Sequence, residues 1–407
     1  MLSMVFGELL QSPAFFLIIL LGKYALWWYT PLVIYLLVQV YIRYINTNYI
    51  SSIPWVLLEM RIPKEISKSP KAMEVIFSQM YQTAPNTLID KYIKGKTRPW
   101  VSLELVSTEG EVHFYIRLEK KYKKMIETGI YSQYPGVEVY EAEDYVYKIP
   151  YNLPGSDWNF FGVEYKLSKA DAYPIKTYVE YGMDKDPKEE FKIDPLTTVL
   201  EFLGSIGPNE HIWMQIPMMA ARDRYHKPGT LFGRQSWKDE GAKEVVKLTT
   251  AKKDDPYGGV FKLSPGERDK LEALEKSLGK YGFDCGYRAL YLAKGDSFEG
   301  NNIGRLIGSV KQYGSENLNG FKLARNTSFD YPWQDFMGYR LAKMKREMFQ
   351  NYCNRAYFYP PANSAVFVLN TEELATIFHF PGLVATTPTL DRINSKRGEP
   401  PPNLPIE

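Results

Sequence analysis

The N-terminal segment is the feature that most constrains the fold of this 407-residue chain. Residues 24–42, YALWWYTPLVIYLLVQVYI, carry no charge, and Lys23 and Arg43 stand at their two ends. A helix of about 19 apolar residues can cross a hydrocarbon layer about 30 Å thick, and tryptophan and tyrosine rings near its ends are typical of membrane interfaces. The sequence therefore predicts a membrane anchor over residues 1–45, with a transmembrane helix at about 24–42.

Two other interpretations of this segment have less support. A cleavable signal peptide needs a basic start, whereas the first residues, MLSMVFGE, contain Glu8 and no lysine or arginine. The apolar run 13–22 is too short to span a bilayer alone. It could pair with 24–42 as a hairpin, so two spans stay an alternative to one span kinked at Pro31.

The distribution of charge predicts the orientation. Arg43, Arg61, Lys64 and further lysines follow the apolar segment, whereas only Lys23 precedes it. Because basic loops stay on the cytoplasmic side, we expect a single-pass protein of the cell membrane with cytoplasmic C-terminal domains. Two cysteines are too few for a disulfide framework, which agrees with a reducing compartment.

The overall charge limits the function classes. A net charge of +3 lacks the strongly basic balance of a nucleic-acid-binding domain. One basic run stands out, and it consists of Lys120, Lys121, Lys123 and Lys124. This run is interpreted either as the solvated start of a helix or as a contact for anionic lipid or nucleic-acid phosphate. Nucleic acid is expected to be an indirect partner only.

The sequence pattern of residues 53–150 predicts a first α+β module. Residues 53–63 predict a strand, and Ser69 followed by proline opens a helix. Two alternating segments on either side of the turn 108–110 predict a hairpin, which a second helix and a short strand at 137–140 follow. The order strand, helix, strand, strand, helix, strand is the split βαβ, ferredoxin-like plan.

A looser second copy is predicted over residues 170–295. Its predicted elements are a strand at 177–181, a helix capped by Asp194, a strand at 211–216, a helix opened by the capping box of Ser264 and Glu267, and a strand at 287–292. Residues 220–260 are polar and rich in glycine, and they predict a surface insertion.

The rest of the chain predicts less regular structure. Residues 296–394 predict a helical and mixed region with a long helix at 333–349, a strand at 365–369 and a short helix from Thr371. Residues 395–407 predict an extended proline-rich tail. The fold class predicted for the whole chain is α+β, in which an N-terminal transmembrane helix precedes tandem ferredoxin-like modules.

No catalytic motif stands out in the sequence. The tripeptide 95–97, GKT, lacks the earlier glycine of a P-loop because Asp90 occupies that position. The four histidines are scattered and lack the spacing of a zinc site, and no Gly-x-Ser-x-Gly elbow is present. We therefore expect no enzyme activity and no cofactor.

One cluster keeps an alternative open. The 220–260 segment carries several charged side chains near glycines, namely Arg222, Asp223, Arg224, His226 and Arg234. Arginine side chains can bind a phosphate in two-point fashion. The alternative function is therefore a membrane-bound enzyme, or a phosphate- or nucleic-acid-binding protein that uses the 220–260 loop or the Lys120–Lys124 run.

Five stretches together resemble a known family. They are WVLLEMRIPKEISKSPKAMEVIF (55–77), VHFYIRLEKKYKKMIETGIYSQYPGVEVYEAEDY (112–145), IDPLTTVLEFLGSIGPNEHIWMQI (193–216), LSPGERDKLEALEKSLGKYGFDCGYRALYLA (263–293) and the segment 369–405 with TEELATIFHFPG and EPPPNLP. The chain resembles bacterial membrane proteins that are similar to the region before the motor domain in type IV secretion and conjugation ATPases of the HerA/FtsK-like kind. In relatives that carry a motor, the last stretch leads into a P-loop domain, whereas this sequence reaches Glu407 without a Walker motif.

The resemblance implies a membrane-anchored, non-catalytic scaffold that docks a separate P-loop ATPase at the cytoplasmic face. The implied partners are the lipid bilayer, that ATPase in trans, and further copies of the chain. The candidate docking residues are Glu372, Glu373, Leu374, Phe378, His379, Phe380 and Pro381.

Overall fold

The computed structural model describes residues 13–63, 66, 68–83, 87–151, 156–184, 193–227, 229–230, 233–250, 264–329, 331–360, 362, 364–382 and 392–393. These residues form two compact units. The first unit contains the described parts of 1–53 and 85–97, and the second contains the described parts of 54–84 and 98–407. The predicted proline-rich tail at 395–407 lies outside the described residues.

The helices, in chain order, are α1 (Pro13–Ser52), α2 (Lys71–Gln79), α3 (Leu88–Tyr92), α4 (Lys123–Gln133), α5 (Pro195–Gly204), α6 (Trp237–Thr250), α7 (Pro265–Leu278), α8 (Gly300–Gly308), α9 (Tyr339–Cys353) and α10 (Thr371–Ile377). The strands are β1 (Trp55–Pro63), β2 (Val101–Thr108), β3 (Glu111–Glu119), β4 (Glu138–Glu141), β5 (Trp158–Leu167), β6 (Glu210–Ala220), β7 (Tyr225–His226), β8 (Arg234–Gln235), β9 (Gly282–Cys285), β10 (Tyr287–Lys294), β11 (Phe321–Asn326), β12 (Phe367–Asn370) and β13 (Arg392–Ile393).

The first unit is built on α1, which is longer than the helix predicted at 24–42. Pro31 lies inside α1. Among the helices of the described residues, none combines the length and the apolar character that a membrane crossing requires. The prediction of a transmembrane helix is therefore not confirmed, although the predicted helical conformation is.

The second unit is built on one continuous sheet. Its main strands lie in the order β4-β1-β3-β2-β6-β10-β5-β11, and each neighbouring pair is antiparallel. Strands β9 and β12 extend the sheet beside β6, and β13 pairs in parallel with β1. The predicted α+β class is confirmed, with a large antiparallel sheet at its centre.

The sheet contains one strand order twice. In the first half, the strands run fourth, first, third, second, from β4 to β2. In the second half β11, β5, β10 and β6 take the same places, and the two halves meet where β2 pairs with β6. The predicted modules at 53–150 and 170–295 therefore do not form separate sheets.

The second copy differs from its predicted form at both ends. Its first strand is β5, which the sequence analysis did not assign, and its fourth is β11. Residues 177–181, predicted as a strand, form turns instead. The turn is held by α10, because the backbone N–H of Tyr178 donates to Thr376 Oγ1 at 3.0 Å. The alternating pattern of 177–181 thus reflects burial against a helix, not pairing in a sheet.

The predicted helix starts have mixed outcomes. Asp194 caps α5, and its Oδ1 accepts from Leu196 N at 2.8 Å. The predicted capping box of Ser264 and Glu267 is present at α7. The long helix expected from residue 333 begins only at α9, because Gly338 at its N-terminus adopts a left-handed conformation with φ of 75°. The predicted surface insertion 220–260 contains a regular helix, α6, in its described part.

The two faces of the sheet are covered differently. Helices α2, α4, α5, α8 and α10 cover one face, here called the apolar face, with side chains such as Phe77, Leu200 and Leu374. Helix α9 and residues 145–149 cover the other face, with Tyr352 among the buried side chains. This second face also carries a row of polar side chains and is here called the row face.

Candidate functional site

A run of exposed apolar side chains on α1 is the first candidate site. Every residue from Leu32 to Val38 is apolar or aromatic, and each is 45–63% exposed. Because successive helix residues point about 100° apart, these residues cover all sides of the helix. A helix that is apolar all round is normally enclosed by apolar surroundings. This surface can therefore bind an apolar environment on every side.

A row of polar side chains crosses the sheet on the row face. Directly paired residues of adjacent strands share a face. In the order of the strands from β4 to β11, the paired residues are Tyr140, Glu59, Tyr115, Glu104, Gln215, Arg288, Glu164 and Arg325. The row thus continues from one half of the sheet into the other without a break.

Arg355, just after α9, covers the middle of the row. Its guanidinium donates to both carboxylate oxygens of Glu104 at 3.0 Å, from Nε and from Nη2. It also donates to both oxygens of Asp144, at 2.6 and 2.9 Å. Such two-point pairing fixes direction as well as distance. Arg355 therefore ties the chain after α9 and the segment around Asp144 to the middle of the sheet.

Glu104 is fully buried but fully partnered. Besides Arg355, it accepts hydrogen bonds at 2.7 Å from Ser102 Oγ, Gln215 Nε2 and Tyr145 OH. Burial alone would raise the pKa of this carboxyl, but the charge and hydrogen bonds of Arg355 outweigh burial and lower the pKa to about 2. Glu104 is therefore charged at neutral pH and offers no proton for catalysis.

A second buried arginine extends the network. Arg288 Nε donates to Gln215 Oε1 at 2.8 Å, and its other nitrogens donate to the backbone carbonyls of Ala356 and Asn351. Both carbonyls belong to the end of α9 and the residues after it. The nitrogens of Arg288 donate to groups of the protein itself. We therefore interpret the row as an internal hydrogen-bond network that holds α9 on the sheet and not as a ligand site.

A cleft of about 440 Å³ lies in the second unit between α7 and the loop before α5. Charges of both signs line it, including Glu180, Asp269, Lys270 and Lys276. Burial raises the pKa of Glu180. The one hydroxyl–carboxylate pair described among its lining side chains is Thr177 with Glu372, and that carboxylate is also paired with Lys280.

The predicted docking residues lie mostly inside the protein. Leu374, Phe378 and Phe380 are buried in the apolar core, as is Pro381. His379 is also buried, and its Nε2 lies 3.1 Å from Asp194 Oδ2. These side chains stabilise α10 on the apolar face. Docking of a partner at this segment stays a prediction, and it would need a change of conformation.

The two remaining docking candidates, Glu372 and Glu373, differ from each other. Glu372 is paired with Lys280 and accepts from Thr177. Glu373 is buried and accepts from the backbone N–H of Asn370 at 2.8 Å and of Ile175 at 2.9 Å. Burial raises the pKa of Glu373 to about 8, although these backbone hydrogen bonds act in the opposite direction.

The basic run Lys120–Lys124 is partly neutralised. Lys121 lies 2.5 Å from Glu119, and Lys123 pairs with Glu127 and Glu141. Lys120 and Lys124 are exposed. Contact of this run with anionic groups stays a prediction.

The candidate phosphate site in the 220–260 segment is already occupied by carboxylates. Arg224 pairs with Asp171 and lies 3.4 Å from Asp284. Arg98 approaches Asp284 at the same distance. The other candidates, Arg222, Asp223, His226 and Arg234, are exposed. Arg234 donates to the backbone carbonyl of Arg224 at 3.0 Å, and the backbone N–H of Arg222 donates to Asp284 at 3.4 Å. A phosphate would have to displace the two aspartates.

The thiols and the potential metal ligands offer no further chemistry in the described part of the chain. Burial raises the pKa of Cys285, and it raises that of Cys353 to about 12. Both thiols are therefore protonated at neutral pH. Among the described residues, no group of three or more histidine, cysteine, aspartate or glutamate side chains is arranged to hold a metal ion.

The polar row was not predicted from the sequence. Glu104 alternates with apolar residues in β2, a pattern that predicts a side chain in water. The covering segment with Arg355 lies far away in the chain, so this alternation cannot show it. The available signal was that two of the most apolar strands, β6 and β10, each carry a strongly polar residue away from their ends or among apolar neighbours, namely Gln215 and Arg288.

Comparison with known proteins gives one family. A search of curated proteins gives no match. The family model described as "Domain of unknown function (DUF8128)" matches residues 52–392. This match covers most of the chain, from the last residue of α1 to the first residue of β13, and includes β1–β12. The chain belongs to the DUF8128 family.

Proposed function

We propose that this protein is a membrane-attached, non-catalytic scaffold. The observation that carries the proposal is the exposed apolar run of α1 from Leu32 to Val38. A protein partner usually covers one stripe of a helix, whereas lipid acyl chains surround it on all sides. In this proposal α1 attaches the protein to the cell membrane, and the second unit lies on the cytoplasmic side.

The second unit has properties that suit a platform. In the proposal each half of its sheet is a ferredoxin-like module, which is supported by the repeated strand order and by the helices on the apolar face. On the row face, hydrogen bonds of Arg355 and Arg288 stabilise the contact between the two halves. The charged groups of the row are used in holding the fold, which supports a non-catalytic role.

The proposed partner is a P-loop ATPase supplied by a separate chain, with further copies of this protein as a second partner. This part of the proposal comes from the resemblance to the pre-motor region of type IV secretion and conjugation ATPases. The stretches that support it include 55–77, 112–145 and 193–216, all of which lie in the second unit.

Charged substitutions on α1 test the membrane attachment. In the double variant Ile34→Lys, Leu37→Lys, both positions are exposed, so the fold in water should not change. Each lysine in a hydrocarbon environment costs about 2.5–3.5 kcal/mol. We expect the wild type in the membrane pellet after high-salt washing and the double variant largely in the soluble fraction.

Asn48→Lys is the matched control, since Asn48 is an exposed residue near the polar end of α1. It should stay with the membrane. Equal partitioning of the wild type and the double variant would contradict the membrane attachment.

The partner is tested by purifying the full-length protein from its native membranes in detergent and identifying co-purifying chains by mass spectrometry. A P-loop ATPase that is absent from a parallel purification with an unrelated membrane bait would support the scaffold role. Recovery of no ATPase would contradict this part of the proposal and leave the membrane attachment to its own test.

A further inference from the structure

The segment 87–97 belongs to the same compact unit as α1. In the sequence it lies between two parts of the second unit, yet it clusters with residues 1–53. Gly95 explains the close approach to α1. Its φ is 62°, and a Cβ atom there would lie only 2.4 Å from the carbonyl oxygen of Ile45. The segment therefore packs on the α1 backbone next to Tyr44, where the exposed apolar side chains of α1 end.

Helix α3 presents an apolar side that is exposed among the residues that the structure describes. Leu88 is 75% exposed, Ile89 58%, Tyr92 43% and Ile93 64%. At about 100° per residue these four side chains fall within an arc of about 140°. Asp90 lies outside that arc. The short helix is thus amphipathic, with an exposed apolar side.

The polar side of the segment is basic and fixed in place. The Asp90 carboxylate lies 3.2 Å from Lys94 Nζ and 3.1 Å from Lys96 Nζ. Hydrogen bonds from Lys96 and then Lys94 lower the pKa of Asp90 to about 2. Lys91 Nζ lies 4.9 Å from the centre of the Tyr92 ring. Three lysines against one aspartate leave the segment with a net charge of +2.

We propose that residues 87–97 bind the surface of a lipid bilayer that contains anionic lipids. Leu88, Ile89 and Ile93 would enter the region below the headgroups, while the lysines face the lipid phosphates. Apolar side chains beside lysines are typical of segments that lie in the membrane interface. This inference rests on the membrane attachment proposed for α1, and it adds a second contact beside the end of that helix.

Two features favour lipid over a protein as the occupant. The segment packs against α1 at Ile45, so its exposed side chains belong to the same unit as the exposed apolar residues of α1, which continue to Tyr44. Its positive charge complements anionic headgroups, because each basic residue near such a surface strengthens binding. A protein partner is the alternative occupant of α3, and the experiment distinguishes it from lipid.

The experiment places a fluorescent probe on α3 in the full-length protein. The variant Ile93→Cys is labelled with an environment-sensitive dye and reconstituted into phosphatidylcholine vesicles with phosphatidylglycerol. A spin-labelled phospholipid with its label close to the headgroup serves as quencher. We expect the fluorescence to fall by about half, as for a side chain at interfacial depth. The unsubstituted protein shows how far Cys285 and Cys353 react.

Tyr147→Cys is the matched control, because Tyr147 is 80% exposed and belongs to the second unit. Its label should not be quenched. If the protein floats with the vesicles but the label at position 93 is not quenched, the inference about α3 is overturned and the attachment through α1 stands. If the protein does not float with vesicles at all, the proposed function fails first.

The charge requirement is tested by Lys91→Gln, which leaves the pairs of Asp90 intact. Loss of one lysine from an anionic surface should lower the ratio of quenched to unquenched labels at position 93 about fivefold. Lys343→Gln, at an exposed lysine on α9, should leave it unchanged. Equal quenching on vesicles with and without phosphatidylglycerol would overturn the preference for anionic lipid.

Discussion

The two faces of the sheet each bury a glutamate, and the two carboxyl groups have opposite properties. Glu104 on the row face meets Arg355, and its pKa falls to about 2. Glu373 on the apolar face accepts only backbone N–H groups, and its pKa rises to about 8. Burial acts in the same direction on both. For these two carboxyls the difference comes from the guanidinium of Arg355, whose charge and hydrogen bonds reach Glu104 and have no counterpart beside Glu373 among the described residues.

This difference corresponds to different tasks. On the apolar face, helices are held by contacts that many apolar residues could make. On the row face, Arg355 adopts a left-handed conformation with φ of 50°, which residues other than glycine seldom adopt. Its hydrogen bonds to Glu104 and Asp144 hold it there. The row face thus specifies which segment covers the sheet, and the apolar face supplies most of the burial.

The largest effect is expected from Arg355→Met. The substitution leaves Glu104 buried without its main cation, and breaking a buried ion pair from one side costs about 3–5 kcal/mol. We expect that loss in the free energy of unfolding, measured by urea denaturation at neutral pH. Arg346→Met, at an exposed arginine of α9, should change it by less than about 0.5 kcal/mol. A loss below about 1 kcal/mol for Arg355→Met would break the comparison, because the network would then add little to stability.

Glu373→Gln should change the pH dependence of stability in the alkaline direction. The wild-type carboxyl has a pKa of about 8 when folded and an ordinary value near 4.5 when unfolded. Between these values the folded state binds more protons, so wild-type stability falls as pH rises, by about 1.4 kcal/mol per unit. From pH 5.5 to 7.5 the difference between the variant and the wild type should therefore move by about 3 kcal/mol in favour of the variant.

The measurement for Glu373→Gln is urea unfolding at several pH values. Glu347→Gln, at an exposed glutamate, is the control. If the difference between wild type and Glu373→Gln is constant with pH, the buried carboxyl is not protonated in the folded state.

Glu104→Gln should change the pH dependence in the acid direction. The folded pKa of about 2 lies below the ordinary value of 4.5. The stabilisation by the charged carboxylate is therefore complete above about pH 4.5 and is lost as pH falls toward 2. Between pH 4.5 and 3.5, the advantage of wild type over Glu104→Gln should shrink by about 1 kcal/mol. Acid unfolding followed by circular dichroism measures this, and an advantage that grows on acidification would contradict it.

How much of this could be predicted from the sequence depends on the distance between partners along the chain. Local signals predicted the α5 and α7 starts, since Asp194 and Ser264 lie within three residues of the groups that they cap. Strand periodicity predicted β2 and β3, and the apolar segment 211–216 predicted β6, but neither signal could show that β2 and β6 pair. The strand β5 was missed because WNFFGVEYKL is buried on both faces and has little alternation.

The candidate site shows the same limit. Arg355 and Glu104 are 251 residues apart, and neither has a local motif. The apolar run of α1 was visible directly, since it needs no partner to be recognised. The docking segment 372–381 was predicted from the family resemblance, which gives no information on burial, whereas the capping box of Asn370 and Glu373 turns its apolar residues into the core.

The smallest effect is expected from Glu267→Gln. This variant tests whether burial alone makes the pKa of Glu373 differ from that of an ordinary capping glutamate. Glu267 accepts from Ser264 N at 2.8 Å, as Glu373 accepts from Asn370 N at 2.8 Å, and both glutamates occupy the same position of a capping box. Glu267, however, is partly exposed. A glutamine keeps the acceptor oxygen, so the free energy of unfolding should change by less than about 0.5 kcal/mol. Over pH 5.5–7.5 this small change should stay constant, while Glu373→Gln shifts by about 3 kcal/mol. A parallel shift in both variants would mean that the capping hydrogen bond, not the apolar surroundings of α10, controls protonation.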